Sequence, residues 1–184
     1  MKRGIVVAAA GRRIDADDAD VSRFPLEHVE RTRRRIRDTL IARGATVVIS
    51  SAACGADLLA LTEAGDLQLR RRAVLPFAPE RFVQTSVIDR PGGWALVFDE
   101  TLRQLRATGD LIILSEPPGD GAYTAASETI LDEAERIARE NGDRPAALVI
   151  WDGRVRPGLD HTKQFRDSAE RRGFQIVEVL TSGE

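Results

Sequence analysis

Short apolar runs recur along the chain, each followed by a polar loop and then by residues with a helical period. The runs Gly4 to Ala10, Ala45 to Ser50, Arg72 to Pro76, Asp110 to Leu114, Ala146 to Trp151 and Gln175 to Leu180 are dense in Val, Ile, Leu and Ala. Such runs suit strands buried on both faces. Between them the punctuation is helical. Pro25 stands at a first helical position before Leu26, Val29, Ile36 and Leu40, and Gly44 follows as a stop. Trp94, Val97, Phe98, Thr101, Leu102 and Leu105 form one apolar stripe, and Tyr123, Ala126, Ile130, Leu131, Ala134, Ile137 and Ala138 form another. Each stripe predicts a helix face turned to a sheet. A last helix over Asp160 to Arg172 is closed by Gly173. Strands alternating with helices predict an α/β domain with a mostly parallel, six-stranded sheet.

Composition sharpens this picture in a few places. A chain of 184 residues with 42% hydrophobic content suits one domain over residues 1–184, and no repeat or Pro/Gly-rich linker divides it. Basic and acidic residues nearly balance, 27 against 29, so no global field draws the protein to nucleic acid or an anionic membrane. A specific small ligand is the better expectation. Only Lys2 and Lys163 are lysines, which points to codon bias rather than to function. The single Cys54 excludes an intrachain disulfide, and the apolar run near the N-terminus reads as a strand rather than a signal segment, so a cytoplasmic protein is expected. No run approaches the roughly 20 residues that span a bilayer.

Chemistry is expected in the loops at the carboxyl ends of the strands, where open parallel sheets bind ligands. These loops are Ala10 to Arg23, Ser51 to Asp57, Phe77 to Pro79, Ser115 to Tyr123 and Asp152 to Leu159, and all but the third carry glycine. The second is the most informative. There an apolar strand gives way to Ser51-Ala-Ala-Cys-Gly-Ala-Asp57, and a helix opens near Gly55. Amide groups of a first helical turn lack intrahelical partners and carry the positive end of the dipole, so small side chains around them would admit a phosphate or carboxylate. The alternative is a tight turn that binds nothing. Gly11-Arg12-Arg13 adds two guanidiniums of the kind that fork onto phosphate.

Taken together, Ala10-Gly-Arg-Arg-Ile-Asp15, Arg23-Phe-Pro25, Ser51-Ala-Ala-Cys-Gly-Ala-Asp-Leu58, Val74-Leu-Pro-Phe77, Phe82, Thr85-Ser-Val87 and Trp151-Asp-Gly153 resemble the SLOG superfamily over nearly the whole chain. That superfamily groups Rossmann-like domains of the SMF/DprA and LOG proteins. The likeness is greatest to SLOG domains joined to signalling modules, thought to sense nucleotides or their derivatives. It implies a single Rossmann-like three-layer domain. It also implies that Gly11 and Arg12 lie beside the ligand and that Ser51, Gly55 and Asp57 form a phosphate-facing loop. LOG phosphoribohydrolases carry Pro-Gly-Gly-x-Gly-Thr-x-x-Glu, whereas this chain has Pro118-Gly-Asp-Gly-Ala-Tyr-Thr-Ala-Ala126. Glu128 comes two residues late, a rotation of about 200° on a helix. Hydrolysis by the LOG scheme is therefore in doubt.

Several residues carry two readings. Cys54 is a nucleophile activated by a helix N-terminus or a small buried thiol. Asp57 bonds a ribose or caps its helix. Trp94 and Tyr123 stack on a base or fill the core. The run Arg31 to Arg37 contacts DNA or forms a solvated face, and Asp15, Asp17, Asp18 and Asp20 bind a cation or make an acidic loop. His28 and His161 join no metal-ligand cluster, so no metal and no cofactor is expected. The expected function is sensing of a nucleotide or nucleotide-derived small molecule. Gly11, Arg12, Ser51, Gly55 and Asp57 would bind it, with Gly119, Gly121 and Tyr123 on the opposite wall. A LOG-like nucleoside 5′-monophosphate phosphoribohydrolase, an N-glycosidic enzyme, is the first alternative, and a DprA-type nucleic-acid-binding module is the second. A homo-oligomer and a signalling or effector partner remain open.

Overall fold

The computed structural model describes residues 3–183. Six strands form one sheet: β1 (Ile5–Gly11), β2 (Ala45–Ser50), β3 (Arg70–Leu75), β4 (Leu111–Ile113), β5 (Arg144–Trp151) and β6 (Gln175–Leu180). Every neighbouring pair is parallel, in the order β4-β3-β2-β1-β5-β6. The expected strands are thus all present, with ends moved by one or two residues. The helices are α1 (Val29–Arg43), α2 (Ala56–Asp66), α3 (Pro79–Ser86), α4 (Trp94–Thr108), α5 (Asp120–Asn141) and α6 (His161–Arg171).

Alternation along β1 distributes the layers. Ile5, Val7 and Ala9 pack with Ile36 and Leu40 of α1, Leu58 and Leu61 of α2 and Phe98 of α4. Val6 and Ala8 face the other way, onto Ala126, Ile130 and Leu131 of α5 and Phe165 of α6. This is the three-layer arrangement of a Rossmann-like fold, with both faces of the sheet covered. Gly44 closes α1 at φ 65°, where its missing Cβ removes the usual steric cost. Pro25 does not begin α1. It precedes a 3-10 turn at Leu26–His28, and α1 starts only at Val29. Helix α3 was not evident in the apolar periodicity, being 8 residues long with Pro79 at its start. Among the described residues, no helix is long and apolar enough to cross a membrane.

Strand order reverses on either side of β1, so the crevice between the carboxyl ends of β1 and β5 is the switch point of the sheet. The two strands meet closely there. The Arg12 amide donates to the Ile150 carbonyl (2.8 Å), and a Cβ on Gly11 would strike that same carbonyl and the Ala56 side chain.

Candidate functional site

A cavity of about 630 Å³ opens at this switch point, walled by the loops after β1, β2 and β5 and by α3 and α5. Its volume is in the range of small-molecule sites. Gly11, Arg12, Ser51, Asp57 and Tyr123 all line it. Gly55 lies just behind the lining, whereas Gly119 and Gly121 stand at the start of α5 with open space around them and do not line it.

Arg12 is placed as expected but its donors are spent within the protein. Its Nη1 and Nη2 fork onto the two oxygens of Asp160 (2.7 and 2.9 Å), Nε donates to Asp152 (3.1 Å), and Nη2 also reaches the Arg154 carbonyl (2.5 Å). Four of the five guanidinium N–H groups are thereby used. Arg23 completes the network by donating to the other oxygen of Asp152 (2.8 Å). Arg12 is 2% exposed, so it holds the β1 and β5 loops together rather than offering a free fork. Burial by itself would raise the Asp160 carboxyl. Hydrogen bonds from Arg12 and from the Arg156 and Lys163 amides outweigh it and hold the group at about 2.

The start of α2 departs from the expected anion seat. Gly55 is the N-cap, and no side chain caps the helix, so Asp57 does not act as a cap. The first-turn amides are largely occupied by the chain itself: Ala56 donates to the Arg12 carbonyl (3.1 Å) and Leu58 to the Ala53 carbonyl (3.2 Å). Cys54 is fully buried in this turn, and burial pushes its thiol up to about 11, so it is a packing residue rather than a nucleophile at neutral pH.

Asp57 is the unusual group. It is 8% exposed, lines the cavity, and its Oδ1 closes no hydrogen bond. Burial raises its carboxyl to about 7, against the opposing pull of the Ala53 amide, Ser50, Arg13 and the Gly11 amide. The native state therefore binds a proton that the unfolded chain has released. Stability from this group is fully present below the ordinary Asp value and is lost as pH rises through about 7. Asp57→Asn is expected to remove that slope and to exceed the wild type at alkaline pH by on the order of 4 kcal/mol. Urea unfolding on both sides of neutrality measures it, and parallel pH profiles for the two proteins would refute the assignment.

Other walls carry residues that the motif reading passed over. Tyr123 donates toward Thr85 (3.3 Å), lies 3.2 Å from the Ser86 hydroxyl, and sets its ring edge-on to Phe77. It thus serves core and cavity together, whereas Trp94 is 6% exposed and bonds the Pro91 carbonyl. Arg13 pairs with Asp89 (2.6 Å) and the Thr85 carbonyl (2.8 Å) across the rim. His161 begins α6 against the Tyr123 ring, its Nδ1 buried without a partner. Arg156 lines the cavity from the loop after β5 and forms no ion pair among the described residues. Partial burial, then repulsion from Arg12 and Arg23, lowers its pKa from the usual arginine value. The switch-point rule that singled out the loop of Arg12 pointed equally to the loop of Arg156.

Remaining sequence candidates have structural partners. Asp15 accepts the Arg23 and Phe24 amides (2.9 and 3.0 Å), which folds the acidic loop back on itself. In the arginine run, Arg33 and Arg37 both hold the buried Glu63 (3.2 Å each). His28 Nδ1 lies 2.8 Å from the Thr181 carbonyl. Ala126 faces the cavity, while Glu128 is turned to Ser168 (2.7 Å) and Arg172 (2.5 Å) on α6.

No protein-family model matches the chain, and no curated protein matches it. Among solved structures the chain is similar to the X-ray structure of DNA processing protein A (DprA) from Streptococcus pneumoniae, at 16% identity and a TM-score of 0.42. The match covers 95% of this chain and 58% of that one, so the chain spans less than two thirds of that protein's length.

Proposed function

We propose that this domain binds a nucleotide or nucleotide-derived small molecule in the switch-point cavity and acts as a sensor, without turning the ligand over. One observation carries the reading: a cavity of about 630 Å³ that brings a buried carboxyl with one oxygen unpartnered, an aromatic ring and an unpaired guanidinium to the carboxyl ends of the strands. The likeness of the loop residues to SLOG sensor domains agrees with it.

The positions of the acids support binding without turnover. Glycosidic cleavage needs a carboxylate placed to stabilise an oxocarbenium-like centre or to activate water. Ala126 occupies the cavity-facing position that a LOG glutamate would take, and Glu128 is bound to α6 on another face. Glu116 and Asp120 do not line the cavity. Of the acids that line it, Asp57 lies buried at the foot of α2 and is assigned to binding, Asp160 is held by Arg12, Asp89 pairs with Arg13, Asp15 accepts the Arg23 and Phe24 amides, and Asp20 is exposed.

The test joins binding to chemistry. Mass spectrometry of what leaves the denatured protein, followed by calorimetry with the candidates and with AMP, other nucleoside monophosphates and NAD, is expected to find a bound nucleotide. Chromatography of the same mixtures is expected to find no free base or nicotinamide. Base release abolished by Asp57→Asn or Glu128→Gln would make the protein a hydrolase, and no binding by any of these compounds would overturn the reading altogether.

A further inference from the structure

A nucleotide has two unlike ends, a base that offers N–H donors and a phosphate that offers negative charge. The two ends of this cavity differ in a matching way. At the closed end stands Asp57, 8% exposed, with Oδ1 lacking any partner. A phosphate brought there offers Oδ1 no donor and opposes ionisation of the carboxyl, whereas an N–H donor of a base would satisfy that oxygen. Two amides at the start of α2, those of Ala56 and Leu58, are taken by the Arg12 and Ala53 carbonyls. Gly55 is wedged beneath the Arg12–Ile14 backbone, which keeps the first turn of α2 covered.

The exposed part of the lining differs. There Asp20, Val21, Arg156 and Leu159 all reach solvent, and Arg156 brings a guanidinium. Arg12 and Arg23 pair with Asp152 and Asp160, whereas the Arg156 guanidinium on the same wall forms no ion pair among the described residues; Asp15 and Asp20 line the cavity from the loop after β1. An anion at this point would relieve the repulsion that Arg156 feels from Arg12 and Arg23.

We infer that the ligand sits with its base against Asp57 and its phosphate outward on the Arg156 guanidinium, the reverse of the seating that an anion site at the start of α2 would impose. The inference rests on the nucleotide reading of the cavity. Tyr123, its ring 5.7 Å from that of His161, lines the passage between the two ends and offers a face to the base or ribose. Outward phosphate defines the ligand class: nucleoside phosphates extended through the phosphate, as diphosphates or dinucleotides, fit the open mouth, and substituents on the donor edge of the base do not.

Calorimetry with GMP, guanosine, AMP and adenosine decides the orientation. Arg156 is exposed, so Arg156→Ala is expected to fold, to weaken GMP and AMP roughly tenfold or more, and to leave the nucleosides unchanged. Asp57→Asn is expected to weaken each nucleotide and its nucleoside by the same factor. Asp57→Asn that strengthens nucleotides relative to nucleosides would place the phosphate inward and overturn the inference. So would Arg156→Ala that spares the nucleotides or weakens the nucleosides as much. If the wild type binds none of the probes, the nucleotide reading fails and the orientation with it; if it binds them, the variants test orientation alone.

Discussion

Asp160→Ala is expected to remove about 3–5 kcal/mol of stability, the usual result of stripping one partner from a buried ion pair. Asp160 is 4% exposed and satisfies three groups at once: the Arg12 fork, the Arg156 amide (2.7 Å) and the Lys163 amide (3.1 Å) that it caps. Without it Arg12 keeps its charge in a nearly dry site, with only Asp152 and the Arg154 carbonyl to answer it. In a chain of this size the melting temperature should fall by roughly 6–20 °C. The acid limb carries the same signature. A carboxyl held at about 2 in the folded state contributes stability above the ordinary Asp value, and that stability is lost as pH falls through about 2. The variant should therefore lose less on acidification than the wild type. Arg12→Lys, which keeps the charge but not the fork, should also melt lower. Melting within a degree or two of the wild type for Asp160→Ala would show that the network is not a structural tie.

The elements were legible because their signals are local. Near-continuous apolar runs fixed the strands, and Gly44 and Gly173 marked where helices stop. Helix α3 carries too few turns for a period to show, and it is placed by Phe82 packing against Phe77 and Phe98. The location of the cavity was legible too, since ligand loops follow the carboxyl ends of parallel strands. One detail of the third loop also held: the rotation from Ala126 to Glu128 turns the acid away, and Glu128 is found on Ser168 and Arg172.

The inner workings of the site were not legible, because they depend on contacts between distant segments. Asp152 and Asp160 lie 140 and 148 residues beyond Arg12, and nothing near Arg12 in the sequence shows that its donors are already taken. The first turn of α2 has the composition of an anion site, yet the loop after β1 crosses over it and supplies a carbonyl. Asp57 reads locally as a capping residue, and only the packing of β1, β2 and α2 around it reveals a buried carboxyl with one oxygen unpartnered.

Gly55→Leu is the sharpest test of that crossing, and the expected result is loss of fold stability rather than selective loss of a ligand. Gly55 adopts φ 90° and ψ −125°, a conformation in which a side chain is strained by on the order of 1–3 kcal/mol before any contact is counted. A Cβ there would also lie 2.9 Å from both the Arg12 carbonyl oxygen and the Ile14 nitrogen. Neither can retreat easily, since Arg12 is tied to Asp152 and Asp160 and Ile14 is 1% exposed. Even Gly55→Ala meets both penalties, so it should lower the melting temperature by several degrees, and leucine should lower it further or prevent folding. A phosphate seat at the start of α2 predicts a further effect: folded Gly55→Ala would lose affinity for nucleotides while keeping affinity for nucleosides. Thermal unfolding with calorimetry on GMP and guanosine separates the two outcomes, and the second would return the anion to α2.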